Sequence, residues 1–218
     1  APRDRLAETN LAVLEKGCVN LDKHIENVRD KFGLPVVVAI NRFPTDDEEE
    51  LEFLKKHCDD LGVRSAISEV VGRGGEGGIE LAQEVLGSLE NDKPNFRFLY
   101  ELDIPVKDKI EKLAREIYGA KGVVYSGSAE RDIRNIEKQG LGGLPICTAK
   151  TQLSLTDDPA LRGAPTDWEL TVREVRVAAG AGFIVPLCGQ MMTMPGLPKH
   201  PAAENVDIDD EGNIVGLF

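Results

Sequence analysis

One stretch constrains this chain more than any other: Val36-Val37-Val38-Ala39-Ile40, followed by Asn41-Arg42-Phe43-Pro44-Thr45-Asp46. Consecutive branched and small apolar residues read as a strand buried on both faces, the pattern of parallel α/β sheets. The proline bend ends it. Thr45 with Glu48 fits a capping box, so a helix is expected from Thr45 onward, with the acidic run at 46–50 favoured by the macrodipole in its first turn. Leu51, Leu54, Cys58 and Leu61 then share one helical face. Open α/β sheets bind ligands beyond the carboxyl ends of their strands, so the loop at 41–46 is the expected functional centre.

The flanking sequence supports that frame. Leu11, Leu14, Cys18, Leu21, Ile25 and Val28 give residues 6–32 a helical period, ended by Gly33 and Pro35. A second strand is expected at 63–70, then Gly72-Arg73-Gly74-Gly75-Glu76-Gly77-Gly78 and a helix at 79–89. The order α-β-α-β-α predicts a mostly parallel sheet flanked by helices. Further on we expect a short strand at 99–104, a helix at 106–118, a strand at 123–125, and a helix at 128–139 capped by Ser126 or Ser128. Residues 145–149 read as a strand delivering Lys150-Thr151-Gln152 to its end. After Trp168 the chain becomes more irregular and β-rich, with extended segments at 168–177 and 183–187 and a polar hairpin around Asp210-Glu211-Gly212-Asn213.

Charge narrows the partners. A net charge of -12 over 218 residues argues against nucleic-acid backbones and anionic membranes. No apolar run reaches transmembrane length and no signal peptide opens the chain, so a cytoplasmic protein is expected. Cys18, Cys58, Cys147 and Cys188 are scattered, without a C-x-x-C pair, and read as reduced core thiols.

Four places could carry chemistry, each with a plainer alternative. Gly74-Gly75-Glu76-Gly77-Gly78 between strand and helix can bring backbone N–H groups to an anion, or can be a tight turn. Phe43 is either a core aromatic or a flat platform for a heterocycle. Lys150-Thr151-Gln152 is a solvated loop start, or a cation with donors aimed at a carboxylate or phosphate. Asp157 and Asp158 can hold a hard cation, or form a turn before Pro159. His24, His57 and His200 are too dispersed for a triad or zinc site, and Met191, Met192 and Met194 read as packing. No G-x-x-x-x-G-K-[ST] occurs in these residues, and Pro44 stands where a guanine-reading Asn-Lys-x-Asp loop needs its carboxylate.

Taken in order, several of these motifs resemble the C-terminal part of formate–tetrahydrofolate ligase. They are the strand and bend at 36–46, Gly74-Gly75-Glu76-Gly77-Gly78, Ala149-Lys150-Thr151-Gln152 with Asp157-Asp158-Pro159, and Ala179-Gly180-Ala181-Gly182-Phe183-Ile184-Val185. Met192-Thr193-Met194-Pro195-Gly196-Leu197-Pro198 and the ending Gly212-Asn213-Ile214-Val215-Gly216-Leu217-Phe218 complete the set. The resemblance implies a fold related to P-loop NTPases. It also implies an ATP-dependent ligase that joins formate to N10 of tetrahydrofolate through formyl phosphate. Magnesium with ATP, stimulation by potassium or ammonium, and a homo-oligomer come with it.

In that family the Phe-Pro-Thr-Asp loop lines the folate site. The resemblance therefore makes Phe43 a stacking platform and Pro44, Thr45 and Asp46 pocket wall. Val71 stands where members commonly have Trp, the pterin's other stacking partner, while Arg73 keeps their usual cation before Gly-Gly-Glu. Arg73, Gly74, Gly75, Glu76, Gly77, Lys150, Thr151 and Gln152 are the expected anion or nucleotide contacts; no metal ligand is assigned. The family's Walker-type loop belongs to an N-terminal part not seen here. The expectation is thus a C-terminal piece, from a fragment or a longer chain. Residues 1–144 would carry the folate loops, and 145–218 would pack on them. Such a piece supplies a folate wall without turning over alone. The rival is a non-catalytic folate-binding or assembly module working beside a separate N-terminal subunit.

Overall fold

Asn10 opens the first helix: its side chain accepts a hydrogen bond from Val13 N–H, a polar cap on α1 (Leu11–Glu26). The computed structural model describes residues 8–190 and 200–216. Leu6, Met191, Met192, Met194, the 192–198 motif and Leu217-Phe218 lie outside them. Cys18 and Ile25 are buried on α1 as the period requires, but Val28 is exposed. The helix widens into a π-helical turn, Asn27–Lys31, which rotates Val28 off the apolar stripe. Gly33 follows at φ 68°, where a Cβ would lie 2.0 Å from the carbonyl oxygen of Asn95, so only glycine fits.

β1 (Val37–Asn41) pairs in parallel with β2 (Arg64–Ser68), with α2 (Glu48–Asp60) as crossover. Leu51 and Cys58 of α2 are buried, with Val63 and Ala66. After β2 come a single turn, α3 (Val70–Arg73), a 3-10 turn over Gly74–Gly78, and α4 (Ile79–Asn91). α2 and α4 both pack on the strand pair.

The expectation of a strand buried on both faces is corrected here. Only Ile40 of β1 is buried, Val37 and Val38 are half-buried, and Ala39 is exposed. The reason is that, among the described residues, β1 has one strand neighbour, β2. Apolar side chains on α4 are likewise left in solvent, including Ile79, Leu86 and Leu89.

The larger core lies in the second half. α5 (Val106–Lys112) continues as a π-helical turn, Leu113–Ile117, and leads to β3 (Gly122–Tyr125) and α6 (Gly127–Lys138). Ser126, not Ser128, caps α6, accepting from Ala129 N–H at 3.1 Å. β4 (Glu169–Ala178) is parallel to β3 and antiparallel to β5 (Phe183–Cys188), so the sheet is mixed and β3 pairs with β4 across position 145. Residues 145–149 add a parallel fringe through bridges Ile146–Ile184 and Ala149–Leu187. Val106, Ile110, Ile133, Leu170, Val172 and Ile184 fill the space between helices and sheet.

The α/β class thus holds, with its strands divided between a two-stranded parallel pair, this mixed sheet, and a small hairpin. The hairpin pairs β6 (Asp207–Ile208) with β7 (Ile214–Val215). The strand expected at 99–104 is a series of bends and turns instead. Cys147 is exposed, unlike the three buried cysteines, because it sits on the fringe of the sheet. Among the described residues, no helix is long and apolar enough to cross a membrane.

Candidate functional site

Parallel pairing in register, with Asn41 opposite Ser68, brings the carboxyl ends of β1 and β2 level. Each strand is followed by a charged residue and then a loop: Arg42 before Phe43, Glu69 before α3. Arg42 N–H donates to the Ser68 carbonyl at 3.0 Å, continuing the ladder one step. The Arg42 guanidinium pairs with Glu48 and lies 3.8 Å from Glu69, whose other oxygen accepts from Arg73 at 2.8 Å. One chain of charges, Glu48–Arg42–Glu69–Arg73, ties the two loops together.

The first loop is a tight turn. Asp46 N–H donates to the Phe43 carbonyl at 3.0 Å, and Phe43 N–H to the Asp46 carboxylate at 2.8 Å. Pro44 supplies a fixed φ inside that turn. Helix α2 starts later than expected because the turn consumes Thr45 and Asp46. Asp47, not Thr45, is the cap, accepting from Glu49 N–H at 2.8 Å, and Glu48 faces Arg42 instead of closing a capping box. The turn leaves Phe43 61% exposed, with Pro44 and Thr45 exposed beside it and Asp46 half-buried. A core aromatic this is not.

The second loop has its own reasons for glycine. Glu69 N–H donates to the Gly77 carbonyl at 2.9 Å, and a Cβ on Gly77 would lie 2.5 Å from the Glu69 carbonyl carbon and oxygen. Gly74 sits at φ 58°. Gly75 has open space around it, so nothing structural demands glycine there. Held by this turn, Val71 is 91% exposed, and Arg73, Gly74, Gly75 and Glu76 are exposed with it. Singly exposed apolar residues are ordinary on a surface, so Val71 counts only together with the exposed Phe43 on the neighbouring loop.

Lys150, Thr151 and Gln152 stand apart from this wall, on the mixed-sheet half against α1. The Lys150 ammonium donates to the carbonyls of Thr151 at 3.0 Å, Thr156 at 3.3 Å and Ser154, and lies 5.0 Å from the centre of the Tyr118 ring. Burial pushes its pKa down. Its donors hold the 151–156 loop closed. Nearby, burial, and secondarily Asp157, push the Cys188 thiol up to about 12, so it is no nucleophile at neutral pH. Asp157 accepts from Thr171 N–H and Asp158 from Ala160 N–H, both at 2.8 Å: these carboxylates stabilise turns. Among the described residues, no three His, Cys, Asp or Glu side chains come close enough to hold a metal ion.

Arg42 and Glu69 went unassigned in the sequence. The signal was there: each is the first residue past its strand, and parallel register places such residues side by side. Against known families, the model for formate–tetrahydrofolate ligase matches residues 1–218, the whole length given.

Proposed function

The chain belongs to the formate–tetrahydrofolate ligase family, and from that premise we propose that the β1–β2 wall is its folate-binding surface. The family joins formate to tetrahydrofolate at the expense of ATP. In our reading Phe43 stacks on the pterin ring, Pro44, Thr45 and Asp46 border it, and Val71 meets the opposite face or edge. The Glu48–Arg42–Glu69–Arg73 chain fixes the spacing of the two loops, so that ring and Val71 are held ready before ligand arrives. One observation carries this: a mostly exposed aromatic ring and an almost fully exposed valine stand on neighbouring strand ends tied by Arg42.

The full reaction passes through formyl phosphate in this reading, with N10 of the folate displacing phosphate from the formyl carbon. These 218 residues fit magnesium and ATP poorly. They hold no G-x-x-x-x-G-K-[ST] loop to grip the phosphates. We therefore propose that this chain by itself binds folate without turnover. Positioning of all reactants is worth ~7–11 kcal/mol in such reactions, and one wall cannot supply it.

Calorimetric titration with tetrahydrofolate tests the first claim: saturable binding is expected, and its absence overturns the folate wall. A steady-state assay with formate and MgATP tests the second, with no formyltetrahydrofolate expected. Restoration of activity by a separately expressed N-terminal half from the same family would favour the two-subunit reading.

A further inference from the structure

A concave surface lies away from the proposed folate wall. A cleft of about 840 Å³ opens between α1 and the loops at 150–155 and 162–165. Its volume falls within the range of small-molecule sites. Asn20 Nδ2 donates to the Gly163 carbonyl at 3.2 Å and joins the two sides. Two cations flank that bridge: Lys16 stands one helical turn before Asn20, about 6 Å along the axis, and Arg162 immediately precedes Gly163. Among the described residues neither has a carboxylate within 4.0 Å, unlike Arg42, Arg64, Arg115 and Arg176, which are all paired.

Among the described residues no Asp or Glu lines the cleft, although acids outnumber Lys and Arg by 38 to 26 in the chain. Concave walls with one sign of charge focus the field and concentrate ions of the other sign. Thr151 and Gln152 add neutral polar groups, and Tyr118 and Leu153 apolar surface. Lys150 is not counted, since its ammonium is spent on its own loop.

We infer that this cleft binds a flexible oligoanion, a small molecule with two or more carboxylate or phosphate groups spanning Lys16 and Arg162. Arg162 offers a planar fork suited to either group, and Lys16 a point charge for the next. A monoanion engages one cation at a time and gains little. The cleft does not depend on what the β1–β2 wall binds.

The test is calorimetric titration of the 218-residue chain at low salt with two probes, tripolyphosphate and propane-1,2,3-tricarboxylate. Saturable one-site binding of at least one is expected, weakening as salt rises. Preference for one probe identifies the source as phosphate or carboxylate. Arg162→Gln and Lys16→Gln should each weaken binding by at least about tenfold, the loss of one charge-assisted contact. Both residues are exposed, and circular dichroism should show both variants folded. Phe43→Ala should leave this binding unchanged, which separates it from the folate wall. No binding at millimolar probe, or binding that survives both substitutions, overturns the inference.

Discussion

Replacing Phe43 with alanine probes the proposed folate wall most directly. The side chain presents roughly 200 Å² in isolation. With 61% of the residue exposed, about 120 Å² remains open to a ligand, and a flat heterocycle lying on one ring face covers about half of that. Sixty or so square ångströms at ~25 cal/mol per Å² contribute about 1.5 kcal/mol. Stacking geometry adds ~0.5–1.5 kcal/mol. The sum, ~2–3 kcal/mol, corresponds to a loss of roughly 30- to 150-fold in tetrahydrofolate affinity for Phe43→Ala. Because the ring is not in the core, stability should change by no more than about 0.5 kcal/mol. Phe43→Leu keeps apolar area but loses the ring face, and should fall between. The assay is calorimetric or fluorescence titration of folded variants, with denaturant melts beside it. If folded Phe43→Ala binds within about threefold of wild type, the ring is not the platform.

Three further outcomes are expected. Val71→Trp places an aromatic face at a 91%-exposed position without disturbing packing, and should tighten tetrahydrofolate by roughly 2- to 13-fold in the same titration. Gly77→Ala drives a Cβ into the Glu69 backbone and should destabilise by about 1–3 kcal/mol in urea melts, whereas Gly75→Ala, facing open space, should stay within about 0.5 kcal/mol. Lys109 is fully buried, donating to the Gly142 and Leu144 carbonyls, and burial holds its pKa below the ordinary lysine value. The folded state then sheds that proton before the unfolded state does. Stability from Lys109 should rise with pH between the depressed value and about 10.4, by up to ~1.4 kcal/mol per pH unit. Cys188, pushed up, pulls the other way, so the quantity to measure is the difference between wild type and Lys109→Met across that window; a constant difference would refute the reasoning.

Much of the candidate site was legible because its parts are local. The proline bend after β1, the glycine run after β2 and the parallel order of the strands follow from neighbours in sequence, whose conformational limits are short-range. The start of α2 was misplaced because two caps were available. The hydrogen bond from Asp46 N–H to Phe43 chose Asp47 over Thr45, and nothing in the spacing ranks those two. The surroundings of Lys150 were hidden for a related reason. A lysine at a strand end looks free in one dimension, and only folding of the 151–156 loop brings three carbonyls around its ammonium.

From the sequence alone came the α/β class, the family likeness and Phe43 as a residue to watch, since each rests on residue type and order along the chain; Val71 came only through that likeness. The tertiary structure decided the rest. It set how many strands flank β1, which lysines and arginines are already paired, and that Arg42 and Glu69 face each other. It also gathered Lys16 and Arg162, far apart in the chain, around one cleft. Those are questions of burial and distance, and a linear order of residues fixes neither until the backbone has closed on itself.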